Sequence, residues 1–255
     1  MIRSKFTSRR MATILAGGSS FLLAALSLPA SAGAQDAASA RPSTNASLNI
    51  APLRVEFDAN ARAQTVRLSN TSDRVLAIQS RLFAWSQEDG EDAYGPANDL
   101  SISPSIVSIP PGETQIVRLM RRSAPSEGEK RFRLAIDQLP DPALTQNGEA
   151  EARLRFTLPV FLDRDTAVPS AFEWHLANDG LKLTNSGGQT ARIVRIEVSA
   201  AGNAPVAIER NTLRYVHGGA QIAWPMQGAC ALGPLTVVAH VDGETINATP
   251  ERLCG

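Results

Sequence analysis

The sequence predicts an all-β fold of two consecutive sandwiches. Two observations carry this. From Ser47 onward the chain is a procession of short segments in which apolar and polar residues alternate, the period-two pattern of strands with one buried face. Clusters of Gly, Pro, Asn, Asp and Ser separate these segments, and none shows the sustained 3.6-residue period of an amphipathic helix.

Seven strand-like segments come first. They are "SLNIAPLRVEFD", with Pro52 marking an edge or bend, then "QTVRLSN" closed by the turn cluster "NTSD", then "VLAIQSRLFAW". "QEDGEDAYGP" reads as a loop and "LSISPSIVSIP" as an extended, proline-broken stretch. "PGETQIVRLMR" starts at a Pro-Gly turn; "KRFRLAIDQLP" and "ARLRFTLPVF" complete the set, separated by the loop "DPALTQNGE". This spacing is that of an antiparallel, immunoglobulin-like sandwich. A break at "LDRDTAVPS" follows, and then "FEWHLAND", "GLKLTNSGG", "QTARIVRIEVSA", "APVAIERNTLRYV", "AQIAWPM", "GPLTVVAHVDG" and "ETINAT", punctuated by "NDG", "NSGG", "HGG" and "VDG". The expected organisation is 47–163 for the first sandwich and 164–255 for the second.

Ahead of them, residues 1–34 read as a cleaved secretory signal peptide. Arg3, Lys5, Arg9 and Arg10 precede a short apolar run and A-x-A spacings that place cleavage after Ala32 or Ala34. The alternative, a membrane anchor, meets a run interrupted by Gly17, Gly18, Ser19 and Ser20, and no later segment is long and apolar enough to span a bilayer. Residues 35–46 form a small, polar, flexible leader. The chain holds 25 basic and 25 acidic residues, and four of the basic ones lie in the leader peptide. The exported part is therefore mildly acidic, which argues against nucleic acid as a partner. In an exported protein the lone pair Cys230 and Cys254 is most simply a disulfide; free thiols or half of a metal site are the alternatives.

Catalytic chemistry is hard to find. His175, His217 and His240 lie at no metal-ligand spacing from one another, from a cysteine or from an acid. No nucleophile elbow, phosphate-binding loop or zinc-protease motif occurs. "EDGED", Glu88–Asp92, lacks the ligand spacing of a calcium loop and reads as a solvated turn. The expectation is a protein that is not an enzyme and needs no cofactor or metal.

The segment "EARLRFTLPVF" draws the eye. Leu154, Phe156, Leu158 and Val160 fall on one face, and Arg153, Arg155 and Thr157 on the other. Together with "SLNIAPLRVEFD", "LSNTSD", "ISPSIVSIPPGETQIVRLMR" and "EKRFRLAIDQLP", it resembles the periplasmic chaperones of the chaperone–usher pathway, which assemble pili and other fimbriae; "RLFAW" and "LPVF" look most like the archaic or alternative branch. The resemblance is strongest from Ser47 to Phe161.

That resemblance implies two immunoglobulin-like domains arranged as an L with a basic cleft. It implies periplasmic action, pilus or fimbrial subunits and an outer-membrane usher as partners, and a strand lent to the subunit by donor-strand complementation. Leu154, Phe156, Leu158 and Val160 would fill the subunit's groove. Arg54 would hold the subunit's C-terminal carboxylate; the second cation of the family, a lysine on the lent strand, has no counterpart here, and Arg155 is the candidate to replace it. Glu129 and Arg164 are candidates for an ion pair at the domain junction. The competing reading is an exported structural or adhesive sandwich, in which the greasy strand is ordinary core.

Overall fold

The computed structural model describes residues 48–140 and 153–254. The expected signal peptide and leader, and the loop "DPALTQNGE", lie outside the described residues.

Ten strands build the first body: β1 Leu48–Ala51, β2 Val55–Phe57, β3 Ala63–Asn70, β4 Leu76–Glu88, β5 Glu91–Pro96, β6 Leu100–Ser103, β7 Ile106–Ile109, β8 Thr114–Arg121, β9 Lys130–Gln138 and β10 Arg155–Leu162. One sheet has the order β1-β3-β8-β6, and the other β2-β10-β9-β4-β5 with β7 also on β4. Alternation selects the inward residues: in β3, Val66 and Leu68 are buried while Thr65 and Arg67 are exposed. Between the sheets, Phe57, Leu68, Ile78, Leu119, Phe132, Leu134 and Ile136 form one core. Strand β9 breaks the alternation, because Arg133 and Asp137 on its outer face are also buried.

The second body contains β11 Phe172–Ala177, β12 Gly180–Asn185, β13 Ala191–Ala200, β14 Ala204–Val206, β15 Arg214–Val216, β16 Gln221–Pro225, β17 Thr236–Val241, β18 Glu244–Ala248 and β19 Glu251–Arg252. Its sheets run β16-β12-β11-β19 and β14-β13-β17-β18, with β15 also on β13. Trp174 and Trp224 stack at its centre with ring centroids 5.7 Å apart. The fold is thus two all-β sandwiches, each with its own core. Cys230 and Cys254 form a disulfide with Cα atoms 5.8 Å apart, tying a short 3-10 turn to the residues just after β19.

Three stretches differ from the sequence reading. "QEDGEDAYGP" is no loop: β4 and β5 form a hairpin through Asp89 (φ 51°) and Gly90 (φ 80°), the pair of left-handed residues that a tight hairpin turn demands. Its arms carry polar residues on both faces, so no period-two hydrophobic signal marks it. "SLNIAPLRVEFD" splits into β1 and β2, which belong to different sheets on either side of the cis Ala51–Pro52 peptide. "APVAIERNTLRYV" contributes two short strands, both on β13.

Both sandwiches use the same buried asparagine knot. Asn70 Nδ2 donates to the carbonyls of Arg74 and Ile109 at 2.7 and 2.8 Å, and its Oδ1 accepts from the Ser72 N–H at 2.9 Å. Asn185 Nδ2 donates to Gln189 and Val216 at 2.7 and 3.3 Å, and its Oδ1 accepts from Gly187 and Ala171, each at 3.1 Å. In each case the side chain serves the carbonyl four residues on, the N–H two residues on and a strand distant in sequence.

The two bodies meet through buried polar contacts. Glu129, whose side chain is wholly buried, accepts on Oε1 from Arg131 Nε at 3.0 Å and from the Thr190 N–H at 2.9 Å, and on Oε2 from Arg164 Nη1. Arg164 also donates to the Thr190 carbonyl at 2.9 Å, and Arg131 to that of Gly188 at 2.8 Å. Gln87, on β4, donates to the Tyr215 carbonyl at 2.8 Å and accepts from the His217 N–H at 2.9 Å. Above it, Trp85 stands edge-on to His217, and the Arg133 guanidinium lies 3.6 Å from the Trp85 ring. Burial, reinforced by the Arg131 and Arg133 charges and only partly opposed by Asp92, pushes His217 down to about 3.

Replacing Asn70 or Asn185 by Ala strips partners from several buried main-chain groups at once. Each substitution is expected to cost about 2–4 kcal/mol in urea unfolding, against under about 0.5 kcal/mol for an exposed serine. Opening the disulfide releases a loop of 24 residues. The loss, about 3–4 kcal/mol, should appear in the Trp174/Trp224 fluorescence transition and leave the Trp85 transition in place. The His217 value lies below its unfolded value of 6.5, so under that pH the unfolded chain binds a proton the folded chain refuses. Stability is therefore unaffected above about pH 6.5 and falls as pH drops towards 3, by up to about 1.4 kcal/mol per unit. A His217→Phe variant should show a flatter urea-midpoint profile between pH 6.5 and 4; an unchanged slope would remove His217 as the cause.

Candidate functional site

Strand β10 is half open. On one side β9 pairs with it along its whole length, from Arg155↔Asp137 to Leu162↔Lys130. On the other, β2 runs parallel to it and covers only Val160–Leu162. The Gln138 N–H donates to the Leu154 carbonyl at 3.0 Å. An antiparallel ladder alternates, so residues 154, 156, 158, 160 and 162 turn their main-chain groups to β9, and 155, 157, 159 and 161 turn theirs outward. Phe161 faces β2. Among the described residues Arg155 and Thr157 therefore present an unpaired N–H and C=O row, which ends at Pro159. Proline has no N–H to offer and is tolerated at such an outward-facing edge position.

The apolar face of β10 does not serve as the periodicity suggested. Leu158 and Val160 are 2% and 0% exposed and lie in the first sandwich's own core, so the assignment of these two to a partner's groove is corrected. The period-two face is continuous with Leu162, and the strand spends that face on its own sheet pair. Phe156 is half-buried against the same core, and Leu154, beyond the last ladder pair, is 37% exposed. Those two are the apolar residues left beside the open row.

The structure does not bring Arg54 and Arg155 into contact with a common group. Arg155 donates to Asp137, which Arg81 also holds at 2.7 Å. Burial pushes the Asp137 carboxyl up, but the bonds from Arg155 and Arg81 outweigh it and hold the group below the usual carboxylate value. Carrying the β2–β10 register back one residue sets Arg54 beside Pro159, four residues from Arg155. That is about 13 Å of strand, and Arg155 is held by Asp137 in this structure. The structure does bring Glu129 and Arg164 together, as it does Cys230 and Cys254.

One cavity flanks the open row and a second shares Arg192 with it. One, of about 530 Å³, runs along Phe156–Pro159 and is faced by Arg133, Arg192, Arg214 and Tyr215. Leu53 and Leu213, 68% and 50% exposed, border it as apolar flanks. The other, of about 710 Å³, is bounded by Arg54, Arg164, Arg192, Trp174 and Asp242. The Arg54 and Arg164 guanidinium groups lie 4.8 and 5.3 Å from the Phe161 ring. Arg54 also pairs with Glu56 and, at 3.4 Å, with Asp242. The cleft is therefore lined by arginines from both bodies. Arg133 and Arg192 are the residues that sequence reasoning missed, since a basic residue on an alternating strand looks the same whether it faces solvent or a cleft. Among the described residues no group of three or more His, Cys, Asp or Glu side chains is placed to hold a metal ion.

Comparison with known proteins agrees with the fold. Residues 47–163 match the family described as pili and flagellar-assembly chaperone, PapD N-terminal domain. The uncharacterized fimbrial chaperone YcbF of Escherichia coli (strain K12) is 22% identical over 165 residues, 61% of this chain and 69% of YcbF. A chain from the crystal structure of the CsuC–CsuE chaperone–tip adhesion subunit pre-assembly complex, from the archaic chaperone–usher Csu pili of Acinetobacter baumannii, superposes with a TM-score of 0.64 at 20% identity, covering 82% of this chain and 100% of that one. The E. coli chaperone DraB gives 0.57 at 16% identity, with coverage of 80% and 98%. At these identities the solved structures share the fold of both sandwiches, and the family match identifies the first of them. Residues 47–163 are thus similar to the N-terminal domain of the pili and flagellar-assembly chaperones.

Proposed function

We propose that this chaperone acts in the periplasm, exported by the signal peptide read at residues 1–34. It lends the open edge of β10 to a fibre subunit by donor-strand complementation and passes the subunit to an outer-membrane usher. The observation that carries the reading is the unpaired row at Arg155 and Thr157, running into Arg54. A strand laid on that edge gains up to four main-chain hydrogen bonds, each worth about 0.5–1.5 kcal/mol net. It is collinear with β2 and must end where β2 begins, at Leu53 and Arg54. If it runs parallel to β10, as β2 does, its C-terminal carboxylate arrives at the Arg54 guanidinium, whose planar fork suits that group. Leu154 and Phe156 would then enter the subunit's groove, while Leu158 and Val160 stay in the chaperone. The Glu129–Arg164 pair would hold the cleft at a fixed opening.

The test is capture of the subunit from the native host under fibre-expressing conditions, using the tagged exported chain. Wild type should retain a stoichiometric, small, β-rich exported protein. Thr157→Pro removes one outward N–H without touching the β9 ladder. It should cut capture about tenfold while near-ultraviolet circular dichroism stays unchanged. Arg54→Ala and Leu154→Glu should weaken capture by a similar factor. Wild-type capture by folded Thr157→Pro and Arg54→Ala would sink the edge-lending reading.

A further inference from the structure

We infer that Arg54 and Arg192 together form the seat for the incoming chain's terminal carboxylate, and that Asp242 occupies this seat in the free chaperone until the subunit displaces it. The inference rests on the reading that a strand ends at Arg54, and adds to it the second cation and a resident occupant.

Asp242 sits in the tight turn between β17 and β18, in a left-handed conformation with φ 49°. Its carboxylate reaches across to the first sandwich. Oδ1 accepts from Arg54 Nη1 at 3.4 Å, and Oδ2 accepts from the Arg192 N–H at 3.1 Å. The Asp242 N–H in turn donates to the Arg192 carbonyl at 3.0 Å. Two arginines from different bodies therefore converge on one carboxylate at the edge of the open cavity that both line.

The fit is loose. Arg192 Nε lies 3.9 Å from Oδ1, beyond hydrogen-bond reach, and that buried N–H finds no partner among the described residues. The Arg54 contact is at the long limit, and the other arm of Arg54 is held by Glu56. A carboxylate tethered to a hairpin turn cannot close on both guanidinium groups, whereas the free end of a chain can approach until both bonds are made. Charge complementarity thus already favours an anion here, and the resident one leaves a buried donor unspent. Arg192 also faces the 530 Å³ cavity beside Phe156–Pro159, so it lies between the open strand edge and Arg54. It supplies the cation that β10 lacks at this end. Asp242 acts as a competitor: an incoming carboxylate binds with an affinity reduced by the fraction of time the seat is filled. Anything without a free chain end gains nothing by displacing it, so the occupant sharpens selection for chain termini.

The experiment uses the whole exported chain with its disulfide intact. The probe is a 12-residue peptide of alternating Val and Thr, labelled at its N-terminus, made as the free acid and as the C-terminal amide. Fluorescence anisotropy should show wild type preferring the acid. Asp242→Asn should tighten the acid about fivefold and leave the amide unchanged, and Arg192→Ala should erase the preference. An acid preference that Arg54→Ala abolishes but Asp242→Asn and Arg192→Ala leave alone would overturn this inference and leave the strand-lending reading standing. Absence of binding by either peptide to both wild type and Asp242→Asn would remove both. A readout on the unaltered chain covers the case in which Asp242→Asn fails to fold. The side-chain carboxyl carbon resonance of Asp242 should move on adding the acid and stay still with the amide; a resonance that ignores the acid overturns the inference.

Discussion

The cleft depends on where the Glu129 carboxylate gets its hydrogen bonds. That group has no exposed surface, and an unpaired buried carboxylate costs several kcal/mol, so its donors must be in place whenever the molecule is folded. Arg131 and Arg164 come from the first sandwich and its exit, and the Thr190 N–H comes from the second. The loop carrying Thr190 is seated by close backbone packing. A Cβ on Gly187 would lie 2.0 Å from the Pro169 carbonyl oxygen, and one on Gly218 would lie 2.3 Å from that of Gly188. No other residue fits at those positions. The walls that carry Arg54 and Arg192 are thus joined by the Glu129 carboxylate and its donors, beside a loop whose packing two glycines permit.

Much of the architecture was legible from period-two hydrophobicity, because most strands have one wet face. What escaped were the elements that lack that contrast. The β5 arm of the hairpin carries no alternating apolar face, and β19 has only two residues. The two knots around Asn70 and Asn185 were present as "LSNTSD" and "LTNSGG", but a turn-forming asparagine in sequence gives no sign that its side chain will be buried and fully bonded. Their matching bonds show one construction used in both sandwiches without obvious sequence repetition.

The site was legible in part. Alternation along β10 correctly separates two faces, yet it is silent on which body covers each. Leu158 and Val160 look identical to Leu154 and Phe156 until the second sheet is placed beneath them. Likewise the sequence suggests Arg155 of β10 as the partner of Arg54, whereas the cations that line a cavity with Arg54 come from positions distant from it in sequence, Arg164 just after β10 and Arg192 on β13. Cleft chemistry drawn from two domains is invisible to any reading confined to one segment.

Pro159 carries one more consequence. An unpaired strand edge is a template, and the simplest thing it can template is another copy of itself. Among the described residues of β10 the template consists of Arg155 and Thr157 before the missing N–H of Pro159 cuts it off, with Arg153 just ahead of it. Two copies meeting edge to edge in antiparallel fashion would bring these arginines together and gain few bonds in return. Among the described residues the edge thus offers a second copy of the chain few bonds.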